Sequence, residues 1–231
     1  VFIKANVPAS TVATMKLTFT DGAFTDVEYF TILVNPTYQT HNANKIQVTL
    51  TNNGKMAFYN FPTNTQGNGF IFNGVNHMFE GGLLMGNSAT KLVNVVRNTG
   101  GTQDNDFRSR TFYSLTTPGA ISDQDGFTNF NDSLAPIANR IGLSVNMHSY
   151  EFSSLGNDKY VIVRYDIQNI SGAPVNGLRV GLFFDWDLGD ATQNYSKYDA
   201  TRSLAYAYDV GTTNHRNEYV GVRALDSASS C

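Results

Sequence analysis

Hydrophobic and polar residues alternate along much of this chain, which is the two-residue period of a half-buried β-strand. In residues 14–20, Met15, Leu17 and Phe19 alternate with polar neighbours. After Asp21-Gly22 an apolar run resumes at 27–34, VEYFTILV, and Asn35-Pro36 ends it because proline cannot continue a ladder. A glycine turn between two such runs predicts a hairpin. Residues 1–36 are therefore expected to be the C-terminal strands of an immunoglobulin-like module, with its other strands upstream.

Residues 37–44 read as a polar joint, and a second unit is expected from there to residue 231. IQVTLTNNGKMAFYNF (46–61) is a hairpin pattern turning at Asn53-Gly54. Residues 67–74 predict a short exposed strand, and 79–85, FEGGLLM, an apolar strand whose paired glycines imply close backbone approach or a bulge. KLVNVVR (91–97) fits a strand or one helical turn. Residues 98–110 and 118–139 read as irregular. The strongest alternation follows at 140–152 and 160–169, and further strands are predicted at 178–187, 204–209 and 219–225. No amphipathic helix and no internal repeat emerges. The expected class is all-β, with residues 37–231 forming a large antiparallel β-sandwich cut short at its C-terminal end.

Composition strengthens that picture. The chain has 25 Asn, 23 Thr and 20 Gly but only 4 Glu and 7 Lys, so turn and strand formers outnumber the residues of exposed helix faces. Its 41% hydrophobic content is enough for a packed core. A net charge of −3 argues against a nucleic-acid partner. No run reaches the roughly 18 apolar residues of a membrane span. The one cysteine, Cys231, cannot form an internal disulfide. The chain starts at Val1 without a leader and stops just after a strand-like run, so it reads as a piece of a longer protein.

Candidate chemistry is sparse. Ser88 lies in Gly86-Asn87-Ser88-Ala89, which is not a nucleophile elbow. His41, His77, His148 and His215 sit in no recognisable catalytic setting and read as turn or satisfied strand histidines. Glu80, before Gly81-Gly82, is the carboxylate most open to burial, with Arg97 or Arg164 as partner in a structural ion pair. A carboxylate hydrolase using Glu80 or Asp185 and Asp187 is a further reading. For calcium, Asp185 and Asp187 share one side of a strand end, and Asp190, Asn194 and Asp199 follow. Asp123, Asp125, Asn129 and Asp132, and then Asp104 and Asp106, form weaker sets. All of these are also ordinary turn residues. For carbohydrate, Trp186 with Tyr195 and Tyr198 offers an aromatic platform, and Tyr206 and Tyr208 share a face; the competing reading is that such rings fill a core.

Several strings, taken together and in order, carry a resemblance. They are Gly54-Lys-Met-Ala-Phe-Tyr, Asn64-Thr-Gln-Gly-Asn-Gly-Phe, Phe79-Glu-Gly-Gly-Leu-Leu-Met-Gly, Gln103-Asp-Asn-Asp-Phe, Tyr160-Val-Ile-Val-Arg-Tyr and Gly181-Leu-Phe-Phe-Asp-Trp-Asp. Their order resembles the non-catalytic C-terminal β-rich region of secreted bacterial subtilisin-like serine peptidases. The family's His-Gly-Thr and Gly-Thr-Ser-Met types of motif are missing, so no catalytic residue carries over. The resemblance implies an extracellular accessory module without catalysis of its own, partnered by a peptidase domain of the parent chain. The alternative partner is a polysaccharide or another cell-surface ligand.

Overall fold

The computed structural model describes residues 7–98, 101–211 and 217–225. The chain is all-β, with eighteen strands, several antiparallel sheets and no α-helix among the described residues. Among the described residues no helix is long and apolar enough to cross a membrane.

β1 (Thr11–Asp21) and β2 (Phe24–Val34) pair along their whole length around the two-residue loop Gly22-Ala23. They form a two-stranded sheet of their own. Antiparallel partners share a face, so Met15 stands opposite Phe30 and Ala13 opposite Ile32, while the other face mixes five threonines with Val12, Val27, Tyr29, Leu33 and Lys16. Phe19, Phe24 and Phe30 on the apolar side remain exposed.

The largest sheet runs through β4 (Ile46–Thr51), β5 (Lys55–Ala57), β6 (Phe70–Phe72), β7 (Val75–Asn76) and β8 (Met78–Ser88), with β3 (Tyr38–His41) beside β4 and β9 (Lys91–Asn94) beside β8. A late strand, β15 (Arg179–Trp186), joins β8 at one end of the strand order. The second sheet holds β10 (Arg108–Ser109), β11 (Ser114–Thr116), β12 (Gln124–Asn131), β13 (Leu143–Glu151) and β14 (Val161–Asn169). One core draws on both: Val48, Leu50, Met78 and Leu83 from the first pack with Phe130, Leu143, Val145 and Met147 from the second. Each such side chain removed from water is worth about 1.5–3 kcal/mol, which makes this sandwich the main source of stability. The paired glycines stay in register opposite Phe184 and Phe183; β8 bulges instead at Phe79, where the register against β15 slips between Asp185 and Trp186. The paired glycines also allow close approach, since a Cβ on Gly82 would stand 3.0 Å from Val96.

Several segments differ from the sequence expectation, with short strands also forming at Arg108–Ser109, Ser114–Thr116 and Asn194–Asp199, where none was expected. The polar joint contains β3, and the irregular stretch 118–139 contains β12, an eight-residue inner strand between β10 or β11 and β13. The inward face of β12 is Gln124, Gly126, Thr128 and Phe130, all buried. Three of these four are not hydrophobic, so the strand has a two-residue burial period without a two-residue hydrophobicity period. Residues 91–94 are a strand rather than a helical turn.

A third sheet, β16 (Asn194–Asp199), β17 (Leu204–Asp209) and β18 (Tyr219–Arg223), follows a short 3-10 turn at Ala191–Gln193. It has a small core of Leu188, Ala207 and Val220, and Trp186 packs against both this core and the main one.

Candidate functional site

Three places gather chemically capable side chains. The first lies inside the sandwich. His41 comes from β3, and Ser149 and Glu151 occupy alternate positions on β13, so both point to the core face. His41 Nε2 is 2.7 Å from Ser149 Oγ, which is also 2.7 Å from the Tyr113 hydroxyl. Glu151 Oε2 lies 3.9 Å from His41 Nδ1 and accepts the Ala43 N–H at 2.5 Å. Gly126 faces this group across the ladder: a Cβ there would stand 2.1 Å from Ser149 Oγ and 2.2 Å from the Tyr113 hydroxyl. Glycine is required because the network fills the space a side chain would need.

The order serine, histidine, carboxylate is that of a hydrolytic triad. Its setting is not. All four side chains are at 0% exposure, leaving no approach for a substrate. Burial lowers the His41 pKa to about 4 against the opposing pull of Asp125, so the ring is neutral. Burial likewise raises Glu151 to about 7; the Ala43 and Asn44 N–H groups oppose the shift and the Asp123 charge adds to it. Burial also pushes the Tyr113 hydroxyl well above its ordinary value. Below about pH 7 the group is neutral, and it braces the two sheets: Ser149 lies within hydrogen-bond distance of both His41 and Tyr113, while Glu151 accepts from the Ala43 N–H and makes no hydrogen bond to His41.

The second place is around Glu80, which is 2% exposed on β8. Of the two arginines considered, Arg97 is the partner. Its Nε donates to Glu80 at 2.9 Å and its Nη2 to Asp185 at 2.8 Å. Arg164 instead pairs with Asp166. The buried Lys55 lies two rungs along the ladder, its pKa lowered by burial and partly restored by Glu80. One guanidinium thus bridges two carboxylates, which is the geometry of a structural ion-pair network.

The calcium set is divided among separate partners. Asp185 is held by Arg97. Burial, with the Asp185 charge, raises the pKa of Asp187. Asp190 accepts from the Thr192 hydroxyl and N–H and from Gln193, which lowers its pKa. Both ends of the Asn194 amide are taken by the Leu188 backbone. Asp199 is tied to Thr201 and Arg202, and its pKa falls to about 2. In the weaker sets, Asp132 accepts three N–H groups from residues 141–143, Asp125 caps Ile121 and Ser122, Asp123 holds Ser153, and Asp104 and Asp106 flank Asn94. Among the described residues, no group of three or more His, Cys, Asp or Glu stands close enough to hold a metal ion.

The third place is the outward face of the β16–β18 sheet. The register aligns Tyr195, Tyr208 and Tyr219 across all three strands, with Tyr206 two positions from Tyr208. Ring centroids lie 6.3 Å apart for Tyr195 and Tyr208, 5.8 Å for Tyr208 and Tyr219, and 6.2 Å for Tyr206 and Tyr219. Lys197 Nζ stands 5.3 Å from the Tyr208 ring centroid. A shallow depression open to solvent lies beside Tyr206 and Tyr219, bounded by Leu204, Gly221 and the Asp199–Arg202 pair. Of the expected platform, Tyr195 belongs to this face. Tyr198 lies on the opposite face of the same sheet, exposed. Trp186 is half-buried, edge-on to Phe70 and stacked on Phe184. Alternation signals the sharing of a face by Tyr206 and Tyr208; the contribution of Tyr219 depends on strand pairing, which no local pattern carries.

His77 is buried with Nε2 3.2 Å from Glu218, and His148 lies 3.5 Å from Asp166. His215 and Cys231 lie outside the described residues. No protein-family model, curated protein or solved structure matches the chain.

Proposed function

We propose that this chain is a non-catalytic interaction module of a secreted bacterial hydrolase, the parent enzyme being a subtilisin-like peptidase. The observation that carries the interaction reading is the β16–β18 face. Cross-strand pairing of these rings stabilises the sheet by at most about 1 kcal/mol per pair, yet it leaves Tyr195 and Tyr219 58% and 69% exposed beside two further tyrosines, and clustered exposed aromatics mark recognition surfaces. The sealed state of Ser149, His41 and Glu151 supports the non-catalytic part. The ion-paired state of Glu80 and Asp185 supports it too, since neither is a free acid or base. The hydrolase context rests on the sequence resemblance and on a composition poor in lysine and glutamate. The uncovered apolar side of the β1–β2 hairpin supports its assignment to an immunoglobulin-like module, because an isolated two-stranded ribbon is marginal in water.

The test is turnover by the purified chain on casein, peptide esters and chromogenic glycosides. No turnover above buffer is expected. Hydrolysis that disappears in Ser149→Ala or Glu80→Gln would overturn the reading.

A further inference from the structure

We propose that the β16–β18 face binds an acidic saccharide, a glycan chain carrying carboxylates; this deepens the interaction-module reading and rests on it. Three features of the face select that ligand. The rings are tyrosines, so each offers an apolar surface to the C–H face of a sugar and a hydroxyl to its oxygens. The surface beside the rings is a shallow depression open to solvent, with apolar walls at Leu204 and Val220 and a polar end at Asp199 and Arg202. The charge on the face is opposite to that of the chain as a whole. Lys197 and Arg223 occupy positions of the tyrosine face, Arg202 stands in the turn beside it, and Asp199 is the one carboxylate among its described residues. Arg202 cancels Asp199, which leaves two cations on one face of a protein with a net charge of −3. A local positive field on an acidic protein attracts an anion while the remainder of the surface repels it, which fixes the orientation of approach.

Gly221 shapes the site. It lies opposite Tyr206 in the ladder and between Tyr219 and Arg223 along β18, so the floor between the two rings has no side chain. A sugar ring seated there contacts Tyr206 and Tyr219 and places its carboxylate toward Arg223.

The experiment is calorimetric titration of the full chain with an oligogalacturonate and, separately, with an uncharged β-glucan oligomer of similar length. Binding of the oligogalacturonate is expected, weakening as salt is raised because the cations are exposed. Tyr219→Ala should weaken it at least ten-fold, Tyr219→Phe much less, and Lys197→Gln together with Arg223→Gln should remove the salt dependence. Circular dichroism verifies that each variant is folded, which the exposure of Tyr219 favours. Equal binding of the glucan, binding unchanged in Tyr219→Ala, or no binding of either saccharide would overturn the proposal. None of these outcomes bears on turnover, so the module reading is tested separately by the activity assay.

Discussion

Replacing Glu151 by Gln should turn a protein whose stability is level at mildly acidic pH into one that gains stability as pH rises. In the folded chain, burial keeps His41 neutral down to about pH 4 and Glu151 protonated up to about pH 7. In the unfolded chain they titrate at their ordinary 6.5 and 4.5. Between pH 4.5 and 6.5 the folded pair therefore holds one proton, on Glu151, and the unfolded pair also holds one, on His41. Equal proton counts give no slope. Glu151→Gln retains the shape of the protonated acid and leaves only His41 to titrate. The depressed folded pKa of His41 then contributes stability that is full above 6.5 and is lost as pH falls toward 4. One proton of difference is worth about 1.4 kcal/mol per pH unit, so the loss between pH 6.5 and 4.5 is roughly 3 kcal/mol. His41→Gln should do the reverse. The raised pKa of Glu151 contributes stability that is full below 4.5 and lost as pH rises through 7, roughly 3 kcal/mol over the same two units. Urea unfolding at pH 4.5, 5.5 and 6.5 measures both, each variant being read as a difference from the parent protein. That subtraction removes the contribution of aspartates such as Asp158 and Asp199, whose lowered pKa values act at lower pH. Slopes of the same sign in the two variants, or both within about 0.5 kcal/mol of the parent across the window, would refute the neutral-pair account.

The remaining predictions concern packing, charge and metal. Gly126→Ala forces a methyl group into the space of Ser149 and Tyr113 and should cost about 2–3 kcal/mol in urea unfolding. Arg97→Ala leaves the buried Glu80 uncompensated and should cost roughly 2 kcal/mol, less than for a fully buried pair because Arg97 is 41% exposed. Adding Glu80→Gln to that variant should recover most of the loss, and a double-mutant cycle reads the difference. The acidic oxygens of the 185–199 segment are mostly held by protein partners, so EDTA should leave Tm unchanged; a drop on chelation, reversed by calcium, would show a bound ion.

How much of the molecule was legible in its sequence depended on where burial and hydrophobicity coincide. β13 follows its alternation, with Leu143, Val145 and Met147 buried, and Asp21-Gly22 marks the β1–β2 turn within a residue although that hairpin is mostly exposed. β3 and β12 were hidden because their inward positions carry His41, Gln124, Gly126 and Thr128, polar or side-chain-free residues held by hydrogen bonds instead of apolar packing. The same substitution of polar for apolar contact hid the Ser149–His41–Glu151 alignment, whose members lie about 108 residues apart and meet only through the packing of two sheets. Glu80 and Arg97 were more accessible to reasoning, since a carboxylate between apolar residues and paired glycines demands a cation. For the tyrosine face, alternation brought Tyr206 and Tyr208 together but could not bring in Tyr219 from β18, and proximity in sequence wrongly grouped Trp186 and Tyr198 with Tyr195 on one face.

The account holds that the triad-like group is a sealed brace and that the chain recognises rather than hydrolyses. The most direct measurement is intact-mass analysis of the native chain after exposure to a fluorophosphonate, which labels a serine only when it is both reachable and activated. The account predicts an unmodified mass under native conditions. A single stoichiometric adduct mapped to Ser149 would contradict it.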